Sequence, residues 1–337
     1  MAVLCAAAYA FGGAIRFNIR VLGDRVVPMP ARELLGETLS SWVLAAAYVI
    51  SVAYYLNLFG AFGVSLTPFD GLLAAKLLTT GILLLIAAMG WTRGFGAFER
   101  MEQWSVGLKL SIIAGLLVGL GLFFVPLAAR GGLQFAPPVL TGWPGLALAF
   151  GLVVTVQGFE TSRYLGATYD AALRIRSMRL AQIVATAIYV IYAILLAYSF
   201  APTHTVLTET AIIDLMRLVS PILPLLLVAA ALAAQFSAAV ADTGGAGGLI
   251  AELTRKRVSP RHGYGIVVAG GLLLTWTSDV FQIISFASRG FTLYYALQAV
   301  LAAMRTRRTA RPLTQTALYV ALALLGLAIA LFGAPVE

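Results

Sequence analysis

The chain has 337 residues, of which 61% are hydrophobic and only 11% charged, and its mean hydropathy is +0.93. Soluble domains carry about 25% charged residues, so this composition excludes an ordinary water-soluble fold and points to an integral membrane protein. One cysteine, Cys5, excludes an intrachain disulfide and a thiolate metal cluster, and the net charge of +9 has to be read from where the charges lie.

A bilayer core about 30 Å thick takes about 20 apolar residues per helix. The long unbroken apolar runs are unlike the alternating ten-residue segments of an outer-membrane barrel. Hydropathy and loop signals predict ten helices, over 2–20, 41–63, 71–91, 104–126, 145–168, 181–200, 218–250, 264–278, 281–303 and 314–333. Pro221 and Pro224 mark the start of the long seventh run, and "TETAIIDLMRLV" before it reads as a short interfacial helix.

The charges sort by loop. The odd-numbered loops hold 17 of the basic residues: Arg16, Arg20, Arg25, Arg32; Arg93, Arg100; Arg174, Arg176, Arg179; Arg255, Lys256, Arg257, Arg261; and Arg305, Arg307, Arg308, Arg311. The even loops hold two, Arg130 and Arg217. The positive-inside rule puts the odd loops in the cytoplasm, so the net charge is a topology signal with anionic-lipid contact, and no nucleic-acid partner is needed to explain it. Both termini are then expected outside, with no cleavable signal pattern at the front. This topology is one helix short at the front, and the expectation is a chain lacking its natural first span and possibly its last. The 20 to 3 ratio of Arg to Lys, with abundant Ala, Leu and Gly, suggests a GC-rich bacterial gene and hence a cytoplasmic membrane.

Charge inside an apolar span costs about 2.5–3.5 kcal/mol on insertion scales, so each case is a functional candidate. Lys76, Lys109, Glu160, Arg163, Asp242 and Arg289 qualify; Lys76 is near enough to a helix end to snorkel, and Lys109, close to its inner loop, reads equally well as snorkelling inward. Glu160 would lie about 15 residues, or roughly 22 Å, into a continuous fifth helix. It stands in "QGFETSR", where a Gly and two hydroxyl residues favour an interrupted ladder. Irregular backbone at membrane depth is tolerated only inside protein or along a cavity, and secondary transporters place their sites at such breaks. The alternative is a continuous helix in which Glu160 and Arg163 pair at i,i+3. The histidines, His204 and His262, read as loop residues near the interface. No His-x-x-Glu-His type pattern supports an embedded metalloenzyme, so no catalytic residue or metal is expected. "TGGAGG" (243–248) has the small-residue spacing of close helix packing and lacks the ending of a phosphate loop.

The order of these features resembles the amino acid–polyamine–organocation (APC) superfamily, with its LeuT-type five-plus-five inverted repeat. "AAAYAFGGAIRFNIRVLG" resembles the family's second helix, "FERMEQWSVGLKLSIIAGLLVGLGLF" its fifth and "FGLVVTVQGFETSRYLGATYD" its broken sixth. "AAQFSAAVADTGGAGGLIAELTRKRVSP" resembles the eighth and its basic loop, and "ISFASRGFTLYYALQAVLAAMRTRR" the tenth. The loop after the break, "YDAALRIRSMRL", departs from the acidic residue and Asn-Pro usual there.

The resemblance implies one polytopic all-α domain of about ten spans, lacking the first helix of repeat one. Residues 2–126 would be the remnant of that repeat, 145–303 the second repeat and 314–333 an extra helix. It implies a secondary transporter for amino acids or related amines, proton-coupled or exchanging, with nucleobases, polyamines and organic cations as other substrates of the same fold. A non-transporting fragment or structural subunit is the alternative. Gln157, Gly158, Phe159, Glu160, Thr161 and Ser162 would line the central site, with Phe159 as a lid and Glu160 linked to proton or substrate release. Tyr54, among Tyr48, Tyr54 and Tyr55, would flank it, the alternative being that these tyrosines are packing or interface anchors, and Arg289 would hold an anionic group or pair with Glu160. Lys109 would take the place of a sodium ion and carry a proton, with Ser237 and Asp242 ligating a cation or bonding that lysine. The expected partners are a small-molecule substrate, the lipid bilayer and a coupling proton or Na+, with no other cofactor. Oligomeric state is left open.

Overall fold

The computed structural model describes residues 1–23, 29–92, 95–135, 140–165, 169–200, 208–309 and 311–334, with backbone only over 95–105. Among them are eleven α-helices and no strand: α1 (Ala2–Gly23), α2 (Ala31–Val64), α3 (Leu72–Thr92), α4 (Phe95–Ala129), α5 (Gly142–Gly151), α6 (Ala171–Ser199), α7 (Ile212–Val219), α8 (Leu223–Leu253), α9 (Pro260–Thr277), α10 (Val280–Arg308) and α11 (Leu313–Phe332). Two 3-10 turns, Val153–Val156 and Phe159–Arg163, follow α5. Seven helices, α1–α4, α6, α8 and α11, are long and apolar enough to cross a membrane, α4 through its part Val106–Ala129. The protein is an all-helical, multi-pass membrane protein.

Each predicted span coincides with a helix, seven of them long and apolar enough to cross a membrane, and the largest differences are four. α4 begins at Phe95, ahead of its apolar run. α2 begins ten residues before its apolar run, because "ARELLGE" after Pro30 is a strong helix former and its acidic residues find buried partners. α6 begins ten residues early because Asp170 accepts a hydrogen bond from the Leu173 amide at 2.7 Å and starts the helix. The fifth span does not reach 168 as a helix, since α5 ends at Gly151. The other starts follow local chemistry. Ser259 accepts from the His262 amide with Pro260 in the first position. Asp279 accepts from the Gln282 amide at 2.8 Å, while the Gln282 side chain accepts from the Asp279 amide at 3.3 Å.

The chain forms two compact units: residues 1–47, 140–190 and 284–337, and residues 48–139 and 191–283. Each draws on both halves of the sequence. In the second unit, α3 buries Ala75, Thr79, Leu83, Ile86 and Gly90, one stripe at helical spacing, and packs on α9. Its opposite face exposes Leu72, Leu77 and Leu84, as a lipid-facing helix must. α8 packs on α4, α7 and α9. In "TGGAGG" the packing residue is Gly247, whose missing side chain leaves room for Tyr264, with the Gly263 position directly against the Gly247 backbone. Bulk at either position would wedge α8 from α9.

In the first unit, α10 is the polar buried helix. Ser288, Thr292, Gln298, Arg305 and Thr306 are all fully buried on it. A polar helix interior needs partners, and they come from neighbouring helices. Gln298 accepts from Asn18 at 2.9 Å through its side chain and 2.8 Å through its carbonyl, and donates to Ser40 at 3.0 Å.

Candidate functional site

The break after α5 is longer than a single discontinuity at Gly158. α5 spans ten residues, about 15 Å, and regular α-helical bonding stops at Leu152. From there one 3-10 turn runs to Val156 and a second from Phe159 to Arg163. Between them Gly158 has φ +106°, a conformation that disfavours any side chain. Gly-Phe-Glu is therefore the hinge between two tight turns.

Three side chains replace the helical hydrogen bonds lost here. Ser288 on α10 donates to the Gly151 carbonyl at 2.5 Å and accepts from the Val154 amide at 3.0 Å. One hydroxyl thus serves both ends of the broken ladder. Glu160 Oε2 accepts from the Gly158 amide at 3.0 Å and from the Tyr295 hydroxyl at 2.9 Å. Arg174 on α6 donates to the Arg163 carbonyl at 3.0 Å and reaches the Ser162 carbonyl at 3.4 Å, closing the second turn. Ser288→Ala leaves a buried carbonyl and amide unpaired, each worth about 1–3 kcal/mol. The expected result is apparent destabilisation by about 2–4 kcal/mol in thermal unfolding, with Ser288→Thr partly restoring it.

Glu160 is completely buried, and its Oε1 has no hydrogen-bond partner among the described residues. The expected alternative pairing with Arg163 does not occur: Arg163 pairs with Glu37 at 2.8 Å. Nor does Arg289 pair with Glu160. Its guanidinium donates to the Gly333 carbonyl at 2.8 and 3.3 Å, so it ties α10 to the end of α11. Phe159 is buried and stacks on Tyr295 with centroids 5.1 Å apart; Phe11 of α1 stacks on the same ring at 5.4 Å. Beside the hinge is a cavity of about 140 Å³, its wall including Gln157, Gly158, Phe159, Ala8 and Gln182. Thr161 donates to the Gly158 carbonyl at 3.0 Å, and Thr161 and Ser162 are half-buried outside the cavity wall.

The remaining expected residues lie in the second unit. Tyr54 is half-buried, packs against an apolar cluster of Leu58, Phe62, Ile213 and Val228, and meets the Tyr55 ring at 5.1 Å. That is a packing environment. Tyr48 is buried against Gly245. Asp242 and Ser237 are buried on α8, and Ser51 donates to the Asp242 carboxylate. Lys109 is half-buried on α4, which packs along α8. Lys76 lies over the Trp276 ring at 5.9 Å.

The residues that sequence reasoning missed are Ser288, Tyr295 and a buried ion cluster. Arg305, fully buried on α10, donates through Nε to Glu33 at 3.1 Å and through Nη2 to Glu37 at 2.7 Å. Arg308 holds the other Glu33 oxygen at 2.8 Å, and Arg163, at the end of the second 3-10 turn, holds the other Glu37 oxygen. Every carboxylate oxygen has a guanidinium, and the cluster ties α2, α10 and the break together. Arg305 and Arg16 are thus buried helix residues, not the loop charges of the positive-inside count. Arg25, Arg93 and His204 lie outside the described residues, as does the side chain of Arg100. His262 sits in the first turn of α9, with Nδ1 2.7 Å from the Ser259 hydroxyl and its ring edge-on to Trp91.

Two comparisons bear on this geometry. The family model for APC superfamily transporters matches residues 1–333. A protein of Aquifex aeolicus (strain VF5), described as uncharacterized, is 42% identical over 308 residues, which cover 90% of this chain and 75% of that relative.

Proposed function

The chain belongs to the APC superfamily of transporters, and from that premise we propose that it is a secondary active permease for amino acids or related amines, coupled to protons or working by exchange. One observation carries this reading: a helix broken over Leu152–Tyr164 beside a cavity, with a buried carboxylate at its hinge. Unwound backbone at membrane depth is tolerated only where it is buried in protein or lines a cavity, and its polar groups have to be satisfied by neighbours. Here Ser288, Glu160 and Arg174 do that work, leaving Gln157, Gly158 and Phe159 at the cavity. A few φ/ψ angles around Gly158 suffice to swing one 3-10 turn relative to the other, the form that hinge motions take.

In this reading Phe159 shields the cavity and moves off Tyr295 when it opens. Glu160 reports that motion through its bond to Tyr295. Lys109, with Asp242, Ser51 and Ser237 on neighbouring helices, is proposed as the coupling-ion locus for a proton or Na+. The basic loops would face the cytoplasm of a bacterial cell, with both described ends of the chain outside.

The test is uptake into liposomes holding the purified protein. Radiolabelled amino acids, with and without an inward proton gradient, should accumulate above protein-free liposomes, and unlabelled substrate inside should speed entry if exchange operates. Uptake of nucleobases or polyamines alone would replace the substrate class. No transport across the whole panel would reject the permease reading.

A further inference from the structure

Arg16 lies within α1 and is 7% exposed. Its guanidinium donates to the Gln182 side-chain oxygen and to the Tyr9 carbonyl at 3.2 Å, and lies 4.6 Å from the centre of the Tyr9 ring. These partners are all neutral. Among the described residues no carboxylate pairs with it, and the nearby charged group acting on it is a second cation, Arg179. Arg163, mostly buried, and Arg305, fully buried, are by contrast each paired with glutamate. A buried charge without a countercharge is costly, and inside a membrane protein it marks a place where charge arrives from elsewhere.

Gln182 shows where. Its Oε1 holds Arg16 and its Nε2 donates to the Ala8 carbonyl at 2.8 Å, and both Gln182 and Ala8 form the wall of the hinge cavity. The close approach of Gln182 to α1 requires the bare backbone at Gly12, where a side chain would overlap its amide. One neutral, rotatable side chain therefore separates the guanidinium from the cavity.

We propose that Arg16 is the charge-reading residue of this cavity: the ligand carries a carboxylate, which displaces the Gln182 amide and takes its place on the Arg16 fork. The inference rests on the cavity being the transport site and narrows its ligand. The planar guanidinium matches a carboxylate in two-point geometry. A volume of about 140 Å³ is close to that of a cavity holding one benzene, about 150 Å³. The class is thus a small carboxylate-bearing molecule, small amino acids included, and excludes polyamines and bulky organic cations.

Equilibrium binding to the purified protein tests this with three probes of similar size: propionate, L-alanine and propylamine. Propionate or L-alanine should bind and propylamine should not. Arg16→Gln should weaken binding at least tenfold, with Arg16→Lys intermediate. Gln182→Glu supplies an internal carboxylate, so it should raise the melting temperature while abolishing binding, a combination that a purely structural arginine would not produce. Phe159→Trp, which fills the cavity, separates the two readings. Binding that Phe159→Trp blocks but that ignores ligand charge and Arg16 would overturn the Arg16 assignment and leave the cavity standing. Binding of none of the probes, or binding indifferent to Phe159→Trp, would overturn both.

Discussion

Arg305→Gln should destabilise the protein by about 3–5 kcal/mol, the cost of removing one partner from a buried ion pair. Arg305 is fully buried and bridges Glu33 and Glu37, two carboxylates one helical turn apart on α2. Without it, Glu33 keeps only Arg308 and Glu37 only Arg163, and two acidic groups face each other across a space no cation fills. Arg305→Lys should recover less than half the loss, because an ammonium on a flexible stem cannot serve both carboxylates in the geometry of the guanidinium fork. The measurement is thermal or denaturant unfolding in detergent, repeated at high salt. Surface pairs weaken as salt is added whereas buried ones are little screened, so the deficit of Arg305→Gln should persist. A loss under about 1 kcal/mol, or one that salt erases, would be the signature of an exposed pair and would refute the buried cluster. Because Arg163 ends the second 3-10 turn, the same substitution should also loosen the break and lower transport more than stability alone explains.

That cluster marks the limit of what the sequence discloses. Apolar runs and loop arginines are local signals, and they place the helices, seven of which are long and apolar enough to cross a membrane. They fail where a helix outlasts its apolar run, as at Ala31 and Ala171, because hydropathy reports bilayer thickness and caps report helix ends. The hinge is legible as Gly-Phe-Glu, since a buried acid beside a glycine is costly in any continuous span. Its extent is not legible, because the break is stabilised by Ser288, 137 residues from Gly151. Arg305 and Arg16 are indistinguishable in sequence from loop arginines, and their partners stand 272 and 166 residues away. A weak signal did exist. Glu33 and Glu37 at i,i+4 repeat the spacing of one helix face, and Arg305 and Arg308 at i,i+3 do likewise. Two such faces of opposite charge, near the ends of two predicted spans, are complementary.

Glu160→Gln and Tyr295→Phe should each lower the initial rate of uptake by about 10–100-fold, from the about 1.5–3 kcal/mol that a hydrogen bond to a charged group contributes. Glu160 is joined through one oxygen to the Gly158 amide and the Tyr295 hydroxyl. It therefore couples the left-handed hinge to the ring on which Phe159 and Phe11 stack. Glutamine keeps the volume but puts a donor where both neighbours also donate, unless its oxygen alone serves them. Phenylalanine keeps the ring stack and removes only the hydroxyl. If the two groups act as one device, the double variant should be no slower than the worse single one, since residues in contact are not additive. Multiplied losses would mean two independent roles. The control is stability: Tyr295→Phe should cost about 1.5–3 kcal/mol, too little to empty a folded state of ordinary stability, so uptake should fall much further than the fraction folded. Uptake and melting temperature falling strictly in step would reduce Glu160 to a structural clamp on the break and remove it from the transport cycle.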